Sequence, residues 1–213
     1  MKPVRIREDA ELQRQLLSRV CRSPAWRGRP GRAPGSISVR SDEAVIITTG
    51  ETGDPYGDPA GQDTVMVDPS DGLPLLGEVE WPPAETPAHL AIHRRLPGCG
   101  AVVHTREPHS AALAALAGGA RAAAGAVVLV AAGDRYGTCH LPDDAVARLG
   151  APAPGGPAAL LVEGTGVFTW GRDLDEALGE LERIEELGRP LLPESAGGSG
   201  EAGAAREAGE AAG

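Results

Sequence analysis

The order of the apolar segments constrains what this chain can fold into more than any other feature of the sequence. The first short runs, at 37–39 and 44–48, flank a polar turn, which is typical of a hairpin. Later runs, such as those at 101–105 and 158–162, alternate with segments of helical periodicity. This order predicts an α/β fold with three layers, α/β/α, and a mixed central sheet rather than a doubly wound one.

Hydrophobic periodicity also predicts the individual elements. No Gly-x-Gly-x-x-Gly segment opens a helix after a strand, so the sequence carries no dinucleotide-binding fingerprint. The predicted elements are helices at 8–20, 85–95, 108–117, 142–149 and 173–187, and strands at 37–39, 44–48, 64–68, 74–80, 101–105, 127–130 and 158–162.

Charge is distributed unevenly along the chain. Residues 1–40 hold ten Lys and Arg against three Asp and Glu, whereas residues 41–213 hold ten against 27. Such a basic arm could contact nucleic acid or an acidic membrane, or it could dock on the acidic body of its own or a neighbouring subunit. We favour docking, because neither aromatic interleaving nor a nucleic-acid motif accompanies the charge.

The chain divides into three expected parts. Residues 1–34 form a basic helix and a Pro/Gly/Arg loop within the domain, and residues 35–193 form the domain itself. Residues 194–213, a Gly/Ala/Glu tail without large apolar residues, are predicted to be disordered. No apolar run reaches about 18 residues and no signal-peptide core begins the chain, so we expect a cytoplasmic protein without a membrane partner.

Several segments along the chain, read in order, are GSISVR at 35–40, VIITTG at 45–50, DTVMVD at 63–68, PPAE with PAHLAIH at 82–93, AVVHTREPH at 101–109, YGT at 136–138 and GTGVF at 164–168. They resemble segments of the class II aldolase/adducin family, and they occur in the family's order. The resemblance implies a three-layer α/β/α domain, usually assembled as a homotetramer with sites near subunit interfaces. Its typical enzymes, such as fuculose-phosphate and ribulose-phosphate aldolases, cleave or rearrange sugar phosphates with zinc or a similar divalent metal.

The family's chemistry explains which residues its site needs. Aldol cleavage leaves an enediolate, whose oxygens a metal stabilises as a Lewis acid while a carboxylate moves the proton. By resemblance, Glu85 matches the acid/base glutamate and His104 matches the first of three histidine ligands. The alternative Schiff-base route needs a lysine, and the only lysine of the chain is Lys2.

The resemblance also implies that the metal site is incomplete. The second and third ligand positions hold Arg106, which stays protonated, and Thr165, a poor zinc ligand. We therefore expect no cofactor, unless other ligands rescue a site for zinc or another divalent metal. Substrate contacts are expected, by the same resemblance, at Ser36, Thr48, Thr49 and Gly50.

Two alternatives remain open at the site. Glu85, His89 and His93 are four residues apart on one helix face, where they could join His104 or His109 around a relocated metal. Arg106 could stabilise an enolate or bind an anion, or it could form a structural ion pair with Glu85 or Glu107.

Two functions follow from these alternatives. The first is an aldolase-type lyase or isomerase that acts on a small sugar, sugar phosphate or hydroxy-carbonyl compound, with Glu85 and Arg106 as catalytic residues. The second is a non-catalytic, adducin-like assembly or binding protein that keeps only the fold.

Overall fold

The computed structural model describes residues 10–23, 26, 35–49, 63–106, 109, 113, 128–132, 141, 146–147, 149, 159–163 and 165–191. Three helices and seven strands are formed within these residues. The helices are α1 (Ala10–Arg22), α2 (Thr86–Arg95) and α3 (Leu174–Gly188), which a 3-10 turn (Arg189–Leu191) follows. The strands are β1 (Ser36–Ser41), β2 (Ala44–Thr48), β3 (Thr64–Val67), β4 (Ala101–Thr105), β5 (Val128–Ala132), β6 (Ala159–Glu163) and β7 (Gly166–Gly171).

The described strands form one mixed sheet, in the order β3-β2-β1-β4-β7-β6-β5. The β5–β6 pair is parallel and all the other pairs are antiparallel. This confirms the predicted mixed sheet. Strand β4 lies at the centre of the sheet, where it pairs with β1 along one edge and with β7 along the other.

The described helices pack on both faces of the sheet. Alternate residues of β4 point to opposite faces, and Val103 joins the core cluster that contains Leu17 of α1 and Ile184 of α3. Its neighbour Val102 joins a second cluster, which contains Ile92 of α2. The three-layer arrangement of the whole chain stays a prediction, because much of the chain between β4 and β6 lies outside the described residues.

The structure corrects one predicted strand and adds one. Residues 74–80 were predicted as a strand, but they make only one bridge, between Val67 and Pro74, before the chain turns. Pro74 has no N–H to continue a ladder, and Gly77 has a φ of 97°, which breaks extended geometry. Strand β7 was not predicted from periodicity. The expected helices at 108–117 and 142–149, apart from isolated residues, and the expected tail at 194–213 lie outside the described residues.

None of the helices in the described part of the chain is both long enough and apolar enough to cross a bilayer.

Helix α3 begins with a strong local signal, since Asp173 accepts a hydrogen bond from the backbone N–H of Glu176. Helix α2 has no such cap. The residue before it, Glu85, uses its carboxylate elsewhere.

Candidate active site

Three segments meet at the carboxyl end of the central strand. Strand β4 delivers His104 and, just beyond its end, Arg106. The start of α2 brings Glu85, and the turn between β6 and β7 brings Thr165. The fold therefore gathers the four residues that the family resemblance placed at the acid/base position and the three metal-ligand positions.

Glu85 and Arg106 form an ion pair at the outer side of this cluster. A terminal guanidinium nitrogen of Arg106 donates to Glu85 Oε1 at 3.0 Å. The Glu85 side chain is 14% exposed and the Arg106 side chain 48%, so the pair stands at the boundary with solvent. Of the two partners proposed for Arg106, the structure confirms Glu85. The other candidate, Glu107, lies outside the described residues.

The backbone carbonyl of Thr165 joins the ion pair to the buried histidine. It accepts a hydrogen bond from Arg106 Nε at 3.0 Å and another from His104 Nε2 at 3.1 Å. The next residue, Gly166, permits this approach, because its φ is +130° and an added Cβ would lie 2.2 Å from the Thr105 carbonyl oxygen. A family ligand position thus contributes a carbonyl oxygen already bound to two donors.

His104 is fully buried and uncharged. Its ring stacks on Phe168, with ring centres 4.5 Å apart and planes inclined by 24°. Burial lowers the pKa of His104 to about 4, although the carboxylate of Glu85, 4.0 Å from Nδ1, opposes this shift. At neutral pH the ring therefore carries a single proton.

That proton lies on Nε2, because the Thr165 carbonyl can only accept a hydrogen bond. Nδ1 of His104 is then an acceptor, and it lies 3.4 Å from the hydroxyl of Ser36, which donates to it. A hydroxyl has one proton to donate, so the contact of Ser36 with His89 Nε2, at 2.9 Å, requires His89 to be the donor.

The same polarity continues to two more side chains. Burial and the neighbouring histidines hold the pKa of His89 well below its usual value, so its Nδ1 is an acceptor. Ser38 donates to it at 2.8 Å and accepts from His93 Nε2 at 2.9 Å. Burial, with the nearby charge of Arg40, lowers the pKa of His93 to about 3. Its Nδ1 makes no hydrogen bond of normal geometry within the described residues, although the nearby Cys99 backbone acts to raise the pKa of His93.

We refer to this hydrogen-bonded row, His104–Ser36–His89–Ser38–His93, as the imidazole chain. Phe168 covers part of it, since its ring also meets His89 edge to face at a centroid distance of 5.6 Å. Sequence reasoning missed the chain. A signal was present, because residues 36 and 38 share one face of a strand while residues 89 and 93 share one face of a helix.

The described residues do not fit the family's metal. Both ring nitrogens of His104 are engaged, and the other two ligand positions hold a guanidinium and a carbonyl already bound to two donors. The relocated set does not assemble either: the His89 and His93 rings face serines, and His109 contacts Glu185 at 3.1 Å. Among the described residues no group of three His, Cys, Asp or Glu could hold a metal ion.

The expected substrate-binding residues lie deeper than their assignment suggests. Ser36 belongs to the imidazole chain, and Thr48 is buried and accepts a hydrogen bond from the Ile37 N–H at 3.1 Å. Thr49 is 7% exposed, and Gly50 lies outside the described residues. Their role in binding substrate stays a prediction.

Comparison with known families shows which family the chain belongs to. The profile described as Class II Aldolase and Adducin N-terminal domain matches residues 15–191, most of the chain. The chain belongs to the class II aldolase and adducin family. The match begins within α1 and ends just after α3.

Two relatives at 30% identity or more have names of enzymes that act on sugar phosphates. A probable bifunctional methylthioribose-1-phosphate isomerase/methylthioribulose-1-phosphate dehydratase from Nocardia farcinica is 32% identical over 176 residues, covering 74% of this chain. This chain spans only 31% of that protein. A methylthioribulose-1-phosphate dehydratase from Granulibacter bethesdensis is 34% identical over 179 residues, covering 76% of this chain and 82% of the relative.

A solved structure shares the same fold. YgbL from Escherichia coli, described as a putative aldolase/epimerase/decarboxylase, superimposes with a TM-score of 0.64 at 27% identity. The match covers 84% of this chain and 88% of YgbL. The fold resemblance therefore extends over most of both chains.

Proposed function

We propose that this protein is a lyase-type enzyme that acts on a small phosphorylated sugar or a related hydroxy-carbonyl compound. Membership of the family and the dehydratase names of two relatives support this class of substrate. Dehydration and aldol cleavage both develop negative charge on a carbonyl oxygen, and both move a proton at a neighbouring carbon. A site for either reaction needs a proton-transfer group beside a positive charge.

The placement of Glu85 is the observation that carries this proposal. Because its side chain does not cap α2, the carboxylate is free to face the end of β4. There it lies 3.0 Å from the cation of Arg106 and at the solvent boundary, where a ligand can reach it. We assign Glu85 the transfer of the proton to and from carbon, and we assign Arg106 the stabilisation of the developing oxyanion.

The experiment is an assay of purified protein with phosphorylated ketoses, including 5-methylthioribulose 1-phosphate, followed by NMR of the products. Glu85→Gln should lower kcat by about 10²- to 10⁴-fold, the usual contribution of a general acid or base. Glu176→Gln is the matched control, because Glu176 also pairs with an arginine but lies on the surface of α3. Equal turnover by wild type and Glu85→Gln would contradict the assignment.

A second candidate function is a non-catalytic assembly or binding protein. The observation that favours it is the ion pair itself, because Arg106 already occupies the Glu85 carboxylate. On this account the pair is purely structural. No tested phosphorylated sugar or small anion would then bind in an Arg106-dependent manner.

We also propose the homotetramer that the resemblance implied. Large apolar side chains are exposed just before Glu85, which is unusual for a surface that faces only water. Sedimentation equilibrium tests this proposal, and a monomer at micromolar concentration would overturn it. The exposed side chains are Leu73, Leu76, Val79 and Trp81.

A further inference from the structure

We propose that the guanidinium of Arg106 takes the place of the family's divalent cation, so that the site binds the oxygens of a small hydroxy acid or enolate without a metal. The identity of the reacting ligand rests on the proposed function. Binding of an anion does not, because it depends only on the geometry around Arg106.

The guanidinium lies among the groups that would otherwise surround a metal. Arg106 itself fills one ligand position, and its Nε is bonded to the carbonyl of Thr165, which fills another. The remaining position, His104, directs its Nε2 proton to the same carbonyl. A positive charge is therefore built into the chain at this point, and it stays at neutral pH because arginine does not lose its proton.

Arg106 also has binding capacity to spare. A guanidinium has five N–H donors, and Thr165 and Glu85 account for two of them. Among the described residues no acceptor contacts the other three. Because the side chain is 48% exposed, a ligand can reach these donors from solvent. Their planar fork matches the two oxygens of a carboxylate or of an enediolate.

The charge of Glu85 determines whether anion affinity should rise or fall when this residue is changed. Its carboxylate competes with an incoming anion for the same guanidinium and repels it at short range. Removing that charge should strengthen binding of an anion while it abolishes proton transfer. If the ion pair were only structural, removing the Glu85 charge would neither strengthen anion binding nor abolish proton transfer.

The experiment measures binding of glycolate and phosphoglycolate by calorimetry and by thermal shift, after dialysis of the protein against a chelator. We expect wild type to bind at least tenfold more tightly than Arg106→Gln, since a charge-assisted contact is lost. Glu85→Gln should bind severalfold more tightly than wild type. Arg172→Gln is the matched control, because Arg172 pairs with Glu176 at the same 3.0 Å on the surface and should leave binding unchanged.

Two further variants keep the test decisive if Arg106→Gln folds poorly. Arg106→Lys keeps the charge but loses the fork, so it should bind glycolate with intermediate affinity. Glu85→Gln combined with Arg106→Gln removes both charges and should bind no better than Arg106→Gln alone.

The outcomes separate this inference from the proposed function. Equal glycolate affinity in wild type and Arg106→Gln would overturn the inference, as would stoichiometric zinc in the purified wild type that His104→Ala removes. Arg106-dependent binding of glycolate without turnover of any sugar phosphate would sustain the inference and refute the lyase.

Discussion

The site has two regions that differ in burial. In the inner region, Ser36 and Ser38 link three buried and uncharged imidazoles, of which His104 is the outermost. In the outer region, Glu85 and Arg106 form a charged pair that water reaches. The inner region is closed, since its hydrogen bonds run from residue to residue with a single polarity. The outer region is open, since Arg106 retains donors that contact no described residue.

The difference reflects how burial restricts chemistry. A buried polar group must find a partner, so changing one member of the imidazole chain leaves its neighbours unsatisfied. Charges at the solvent boundary are screened, so one cation can replace another there at little cost to the fold. In this chain the outer layer therefore holds the departures from the family's ligand pattern, while the inner layer positions His104.

The largest expected effect is that of acid on the inner region. The folded pKa values of His104 and His93, about 4 and about 3, lie below the unfolded value of about 6.5, and the pKa of His89 is also lowered. Below pH 6.5 the unfolded chain binds more protons, so stability falls as pH falls from about 6.5 towards 5. The slope should reach up to about 1.4 kcal/mol per pH unit for each histidine.

Urea unfolding at several pH values between 5 and 7 measures this slope. His93→Gln removes one titrating group and should reduce the slope by about a third, whatever it does to stability at pH 7. A flat profile across this range would show that the imidazole chain is not buried in its neutral form.

The second effect concerns Gly166, which allows the Thr165 carbonyl to bond both His104 and Arg106. Gly166→Ala should destabilise the protein by about 3 kcal/mol or more, because it adds backbone strain and a contact of 2.2 Å with the Thr105 carbonyl. Gly77→Ala is the control, since its φ is also positive but its Cβ would meet nothing within 4 Å. Equal destabilisation in both variants would mean that the approach to β4 is not tight.

The third effect compares two buried hydroxyls of β1. Ser38→Ala should cost about 1–3 kcal/mol, because His89 loses a donor and His93 loses an acceptor. Ser41→Ala should not destabilise the protein and should stabilise it by about 1 kcal/mol, since it removes a buried hydroxyl that has no hydrogen-bond partner in the described structure. Denaturant unfolding of both variants decides, and similar costs would argue against the imidazole chain.

The smallest effect belongs to the outer region. Arg106→Gln should destabilise the fold by only about 0.5–1 kcal/mol, because a half-exposed ion pair is screened by water. Thermal unfolding at low and high salt measures it, and the difference should shrink as salt rises. A loss of 3 kcal/mol or more would indicate a buried structural pair.

The sequence carried much of the fold because strand and helix patterns are local. Strands β1, β2 and β4 follow from short apolar runs, and α3 follows from apolar residues that repeat on one face. The same periodicity wrongly predicted a strand at 74–80. Its apolar side chains include Leu76, which is 93% exposed, and periodicity cannot distinguish an exposed apolar segment from a strand.

Contacts in the candidate site were predictable only where they depend on the type of side chain. The ion pair between Glu85 and Arg106 was predicted as one alternative, because the family resemblance places both residues in the same site and their charges are opposite. The Thr165 carbonyl was not foreseen, since any residue type supplies that atom and only the turn at Gly166 aims it. The imidazole chain depends on the register of β1 against α2, which no local pattern encodes.

The most direct test of the account is the tautomer of His104, read from long-range ¹H–¹⁵N correlations of the ring nitrogens at neutral pH with and without one equivalent of zinc. We predict a neutral ring with its proton on Nε2, the same tautomer for His89 and His93, and no change when zinc is added. An unprotonated Nε2 on His104, or a zinc-dependent shift of that nitrogen, would contradict the claim that a carbonyl and Arg106 have replaced the metal.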